Sequence, residues 1–112
     1  PFHQSTYRFN FHLRRAGSSR VVTNFGNDLR DSECYTLLLS QIAPGACNRD
    51  PLRETDLHRR AELMLQGAGR IGCRKFVDPD DVVAGNPKLN LAFTAYLFTQ
   101  HPGLQDIDAQ EA

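Results

Sequence analysis

Three stretches of the chain carry a helical period. In residues 32–42, Tyr35, Leu38, Leu39 and Ile42 fall at i, i+3, i+4 and i+7, one face of a helix. Asp31 or Ser32 can cap its start, and Pro44-Gly45 stops it. In residues 55–70, Leu57, Ala61, Met64, Leu65 and Ala68 repeat one face, with Thr55 or Asp56 as the cap and Arg59 and Glu62 on the wet side. The third helix opens with Asn86-Pro87, a cap followed by proline at a position whose N–H needs no partner. Its residues 88–98 are apolar almost all round, which predicts a buried central helix ending at His101-Pro102-Gly103. Upstream, Asp78-Pro79-Asp80-Asp81 predicts a short helix stopped by Gly85.

The N-terminal stretch reads differently. Phe9, Leu13 and Ala16 share one face, while Tyr7, Phe11 and Arg14 share the opposite one, so this helix packs on two sides or offers one to a partner. Segments 17–30 and 43–54 read as loops from their Gly, Ser, Asn, Asp and Pro content. The expectation is an all-α domain of four main helices plus one short one.

Length and charge narrow the field. The 112 residues fit one domain, 1–112, with residues 105–112 as a tail and both ends read as cuts from a longer, multi-domain chain. Thirteen basic and thirteen acidic side chains give a formal net charge of zero, which argues against coating nucleic acid or an anionic membrane by bulk field. No apolar run approaches the about 20 residues that a membrane span needs. Cys34, Cys47 and Cys73 lack metal or C-x-x-C spacing, which reads as a reduced, cytosolic protein, with Cys34 and Cys73 beside apolar faces as core residues.

Motifs for catalysis do not survive their context. Residues 67–72 spell G-x-G-x-x-G, but a helix precedes them where a dinucleotide site needs a strand, and Ala92 stands where the acidic residue belongs. They read instead as a helix end, with Gly69 or Gly72 left-handed. Asp78-Pro79-Asp80-Asp81 opens like a calcium loop, yet its fifth and sixth positions are Val82 and Val83. His3, His12, His58 and His101 show no ligand spacing, so no enzyme, cofactor or metal is expected. Basic residues do cluster locally: Arg14, Arg15 and Arg20; Arg59-Arg60; and Arg70, Arg74 and Lys75. Such clusters are a solvated face or a docking surface for an acidic polymer.

Two stretches carry a family resemblance. Residues 24–44, from Asn24-Phe25 through Asp31-Ser32 to Gln41-Ile42-Ala43-Pro44, are similar to the plastin/fimbrin pattern NF..D..DS.AY..LL.QIAP. Gly85-Asn86-Pro87-Lys88-Leu89-Asn90-Leu91-Ala92-Phe93 resembles that family's DVV.GNPKLNLAF together with Val82-Val83, and His101-Pro102-Gly103-Leu104 also matches. Over roughly residues 10–104, the chain resembles a calponin-homology domain, the second of the first actin-binding pair in the plastin/fimbrin family.

That resemblance implies an F-actin-binding module of a filament-bundling protein in the cytoplasm and cytoskeleton, working beside an adjacent calponin-homology domain. It implies no catalysis, no cofactor, no nucleic acid and no membrane. A calponin-homology scaffold that binds another cytoskeletal or signalling protein is the alternative. The family's contact surface includes the first helix, here residues 7–16, where Asn10, Phe11, His12 and Leu13 match the pattern NFHL. The implied actin-binding residues are Asn10, His12, Arg14 and Arg15, the arginines by charge complementarity with acidic actin. The family has a tryptophan two residues before the matching Asn and leucines upstream. Here Arg8 and the segment 1–6 replace them, which predicts a short or loosely packed first helix.

Overall fold

The computed structural model describes residues 2–101. Five α-helices follow one another: α1 (Phe2–Arg15), α2 (Glu33–Ile42), α3 (Leu57–Arg70), α4 (Pro79–Ala84) and α5 (Pro87–Gln100). Two 3-10 turns, Asn27–Leu29 and Asp50–Arg53, lie inside the segments read as loops. No strand occurs among the described residues. The 105–112 tail and the Pro102-Gly103 stop fall outside them.

Local chemistry sets the helix ends. Asp56 Oδ1 accepts from the His58 N–H (3.1 Å) at the start of α3, and Asn86 Oδ1 accepts from the Leu89 N–H (3.2 Å) at the start of α5. Asp78 and Asp81 form a reciprocal capping box on α4, each side chain accepting from the other's backbone N–H. Ser32 holds the cap position of α2 but adopts a left-handed conformation (φ 62°) without a side-chain capping bond, and Asp31 Oδ1 accepts the Glu33 N–H instead (3.1 Å). Of the two glycines expected to end α3, Gly72 turns left-handed (φ 74°), while Gly69 stays inside the helix.

The first helix corrects its expectation. α1 runs for 14 residues, and Phe9 and Leu13 are fully buried against α2 and α5. Each such side chain contributes about 1.5–3 kcal/mol on leaving water. Arg8, expected to loosen this packing, places its guanidinium 5.8 Å from the centre of the Phe98 ring. The cation covers an aromatic face much as a larger ring would.

The centre of the domain also differs from the reading. Every side chain of α2 from Cys34 to Leu39 is buried, although only one face looked apolar. α2 packs on α1 and α3, and Tyr35 reaches α5, so Cys34–Leu39 has no side left for water, while Glu33 and Ser40 to Ile42 stay half-buried. α5 buries Asn90, Phe93, Thr94, Leu97 and Phe98 but leaves Ala95 exposed and Leu89, Leu91, Ala92 and Tyr96 half-buried. The centre is therefore shared. In α3, Leu57 lies exposed at the N-terminal end, while Ala61, Met64, Leu65 and Ala68 face inward.

Candidate functional site

The residues singled out on α1 part into two pairs. Asn10 is half-buried: its Oδ1 accepts from the Val22 N–H (2.7 Å) and its Nδ2 donates to the Val22 carbonyl (2.9 Å). The carboxamide thus imitates a backbone partner and pins the loop after α1 to the helix. His12 is buried, its ring edge-on to Phe11 at 5.3 Å. Arg14 and Arg15 are exposed, and Arg15 lies over the Phe11 ring at 5.6 Å. Among the described residues no ion pair involves either arginine, and α1 contains no acidic residue. Both belong to the last turn, where the helix dipole favours positive charge.

The other basic clusters dissolve into internal bonds. Arg20 bridges Asp31 and Glu33, both at 2.8 Å, and donates to the Asp28 carbonyl. The bond to Glu33, outweighing the cost of burial, raises its already high pKa further. Arg60 donates to the carbonyls of Glu54 and Asp31, and Arg59 faces Glu54 at 3.9 Å. Arg74 grips Glu62 through both nitrogens at 3.0 and 2.6 Å. That fork, helped by Gln66, holds the Glu62 carboxyl down at about 2. Arg70 donates to the Ala46 carbonyl, and the Lys75 ammonium rests 5.5 Å from the Tyr96 ring centre. Carboxylates thus pair Arg20, Arg59 and Arg74, while Arg14 and Arg15 at the end of α1 face none among the described residues.

The cysteines are not poised as nucleophiles. The three cysteines are free and buried, and burial pushes the Cys34 thiol up to about 11 and raises Cys47 and Cys73 as well. Among the described residues no group of His, Cys, Asp and Glu has metal-binding geometry. Asp80 does come within 3.2 Å of His58, a pair that spacing alone did not indicate, but both side chains are exposed. An open groove of about 480 Å³ between the Asn24 turn and the start of α5 has Lys88 as its one charged lining residue, with no nucleophile or paired carboxylate. No helix among the described residues is long and apolar enough to cross a membrane.

Sequence reasoning missed a further arginine. Arg49, from the loop between α2 and α3, donates Nη2 to the Ala16 carbonyl at 2.8 Å. No local pattern marks it, because the contact joins residues 33 apart.

Comparisons with known proteins agree with this architecture. The chain is 53% identical over 103 residues to fimbrin of Saccharomyces cerevisiae, covering 92% of this chain and 16% of that protein. It is 49% identical over 113 residues to plastin-3 of Homo sapiens, covering 88% of this chain and 18% of that one. Among solved structures, the crystal structure of the actin-crosslinking core of Schizosaccharomyces pombe fimbrin superposes with a TM-score of 0.90 at 51% identity, covering 92% of this chain and 22% of the other. The chain thus spans less than a fifth of these curated relatives. A family model described as the calponin homology (CH) domain matches residues 8–103, from the second turn of α1 to beyond the end of α5, and the chain belongs to that family.

Proposed function

We propose that this CH domain is an actin-filament-binding module of a fimbrin-like crosslinking protein, the second domain of its first actin-binding pair, acting in the cytoplasm on the cytoskeleton. It works by noncovalent docking, alongside an adjacent CH domain of the same chain. The observation that carries this reading is the superposition on the actin-crosslinking core of S. pombe fimbrin at 51% identity. The exposed Arg14 and Arg15 make the contact, with charge complementary to an acidic filament. Asn10 and His12 serve the same site from inside, Asn10 by fixing the loop after α1 and His12 by packing on the Phe11 ring that lies beneath Arg15.

Cosedimentation of the full-length protein with actin filaments tests this. Wild-type protein pellets with filaments, and Arg14→Ala/Arg15→Ala lowers the affinity by about 3–10-fold, the scale for exposed interfacial charges. Protein that stays in the supernatant at low salt, or that pellets with microtubules and not with actin, overturns the reading.

A further inference from the structure

The end of α1 is not the whole charged surface. We propose that Arg49 joins Arg14 and Arg15 as a third guanidinium of one docking surface, which takes carboxylates on an acidic protein partner. The inference rests on the reading of α1 given above and adds a contact from a different element.

Arg49 is held in place rather than loosely tethered. On one side of it, Cys47 is buried, with its backbone N–H on the Ala43 carbonyl (2.8 Å) and its thiol on the Gly67 carbonyl (3.3 Å). On the other side the 3-10 turn Asp50–Arg53 begins, tightened by the Asp50 N–H on Asn48 Oδ1 (2.8 Å). The Arg49 side chain then crosses to the carbonyl of Ala16, the residue after Arg15. That bond uses one of the five guanidinium N–H groups and leaves the others for a partner.

Position and charge neighbours together mark this arginine, because other cations without a carboxylate partner, such as Arg30, Arg70 and Lys75, are held elsewhere by the Val83 carbonyl, the Ala46 carbonyl and the Tyr96 ring. Arg20, Arg53, Arg59 and Arg74 each face a carboxylate, whereas Arg14, Arg15 and Arg49 appear in no ion pair among the described residues. Arg70, which reaches the same loop at Ala46, lines a shallow groove together with Asp50. Arg14, Arg15 and Arg49 thus bring three unpaired guanidinium groups to the place where α1 ends.

An acidic protein surface fits better than a phosphate polymer. Planar guanidinium forks match carboxylates and phosphates alike, so the overall charge decides between them. Polyanion binding draws on many phosphate contacts and a net positive field, and this chain carries no net charge.

The test compares Arg49 variants of the full-length protein by actin cosedimentation across salt concentrations. Arg49→Gln removes the charge and, two atoms shorter, gives up one exposed bond to Ala16, so it weakens binding by about threefold while the melting temperature stays within a few degrees of wild type. Arg49→Glu weakens binding by about tenfold or more, and Arg49→Lys retains most of the affinity. The difference from wild type shrinks as salt shortens the screening length. Arg53→Gln removes a charge from the same turn and leaves binding unchanged. The proposal is overturned if Arg14→Ala/Arg15→Ala weakens binding and Arg49→Gln does not, a result that spares the reading of α1. It also falls if Arg53→Gln weakens binding as much as Arg49→Gln, or if RNA or phosphatidylserine vesicles bind more tightly than actin. Loss of effect in all arginine variants rejects both the inference and the reading beneath it.

Discussion

Tyr35→Phe is the sharpest probe of how the core is held. Tyr35 and Asn90 are both fully buried. The phenol donates to Asn90 Oδ1 at 2.9 Å, and Asn90 Nδ2 donates to the Phe25 carbonyl at 2.9 Å. Burial pushes the phenol well above its ordinary pKa, so it keeps its proton as donor. The substitution leaves the ring in contact with Phe9 and Phe93, at 5.8 and 5.2 Å between centres, and removes one oxygen. What remains is a buried amide oxygen that has lost its side-chain donor, at a cost of about 1–3 kcal/mol. A domain of this size shifts its melting temperature by about 4–8 °C per kcal/mol, so a drop of about 10 °C is expected. Thermal and urea unfolding followed by circular dichroism measure it. The double variant with Asn90→Leu adds a coupling of about 1 kcal/mol or more, because the two groups share the bond. A Tyr35→Phe cost below about 0.5 kcal/mol would refute the view that Asn90 Oδ1 depends on the phenol for its donor.

Two further outcomes follow from geometry. Gly85→Ala places a Cβ at φ 72° within 3.1 Å of the Arg30 side chain, which is itself held by the Val83 carbonyl, and 3.3 Å from Gly26. It costs about 2–3 kcal/mol, whereas Gly72→Ala, at φ 74° with nothing within 4 Å, costs about 1 kcal/mol; equal losses in urea melts would contradict this. Glu62→Gln costs about 1 kcal/mol at neutral pH, since the pair with Arg74 is partly exposed. Because the folded Glu62 carboxyl titrates at about 2, below its ordinary 4.5, its contribution is full above 4.5 and fades as pH falls toward 2. The gap between wild type and Glu62→Gln therefore narrows in melts near pH 3, and a constant gap would contradict the assignment.

The helices, their order and most of their caps were legible in the sequence. Those features are set by neighbours within one turn: the period of Ala61, Met64, Leu65 and Ala68, the carboxylates of Asp56 and Asp78, the Asn86-Pro87 start. The family too could be read from the Asn24 and Gly85 stretches, and the match over residues 8–103 bears that out. Side-chain roles were not legible, because they depend on residues far along the chain. Asn10 was marked only by its match to the family pattern, and its bonds to Val22, 12 positions away, exist only in the folded chain. Arg8 looked disruptive until Phe98 came beneath it. Cys34–Leu39 became buried on every side only because α1, α3 and α5 close around α2. The sequence by itself determined a neutral, all-helical CH domain with arginines at the end of its first helix. Only the tertiary structure decided which charges survive there, since every pairing that cancels Arg20 or Arg74, and the bond that sets Arg49 beside Ala16, joins residues at least 11 apart.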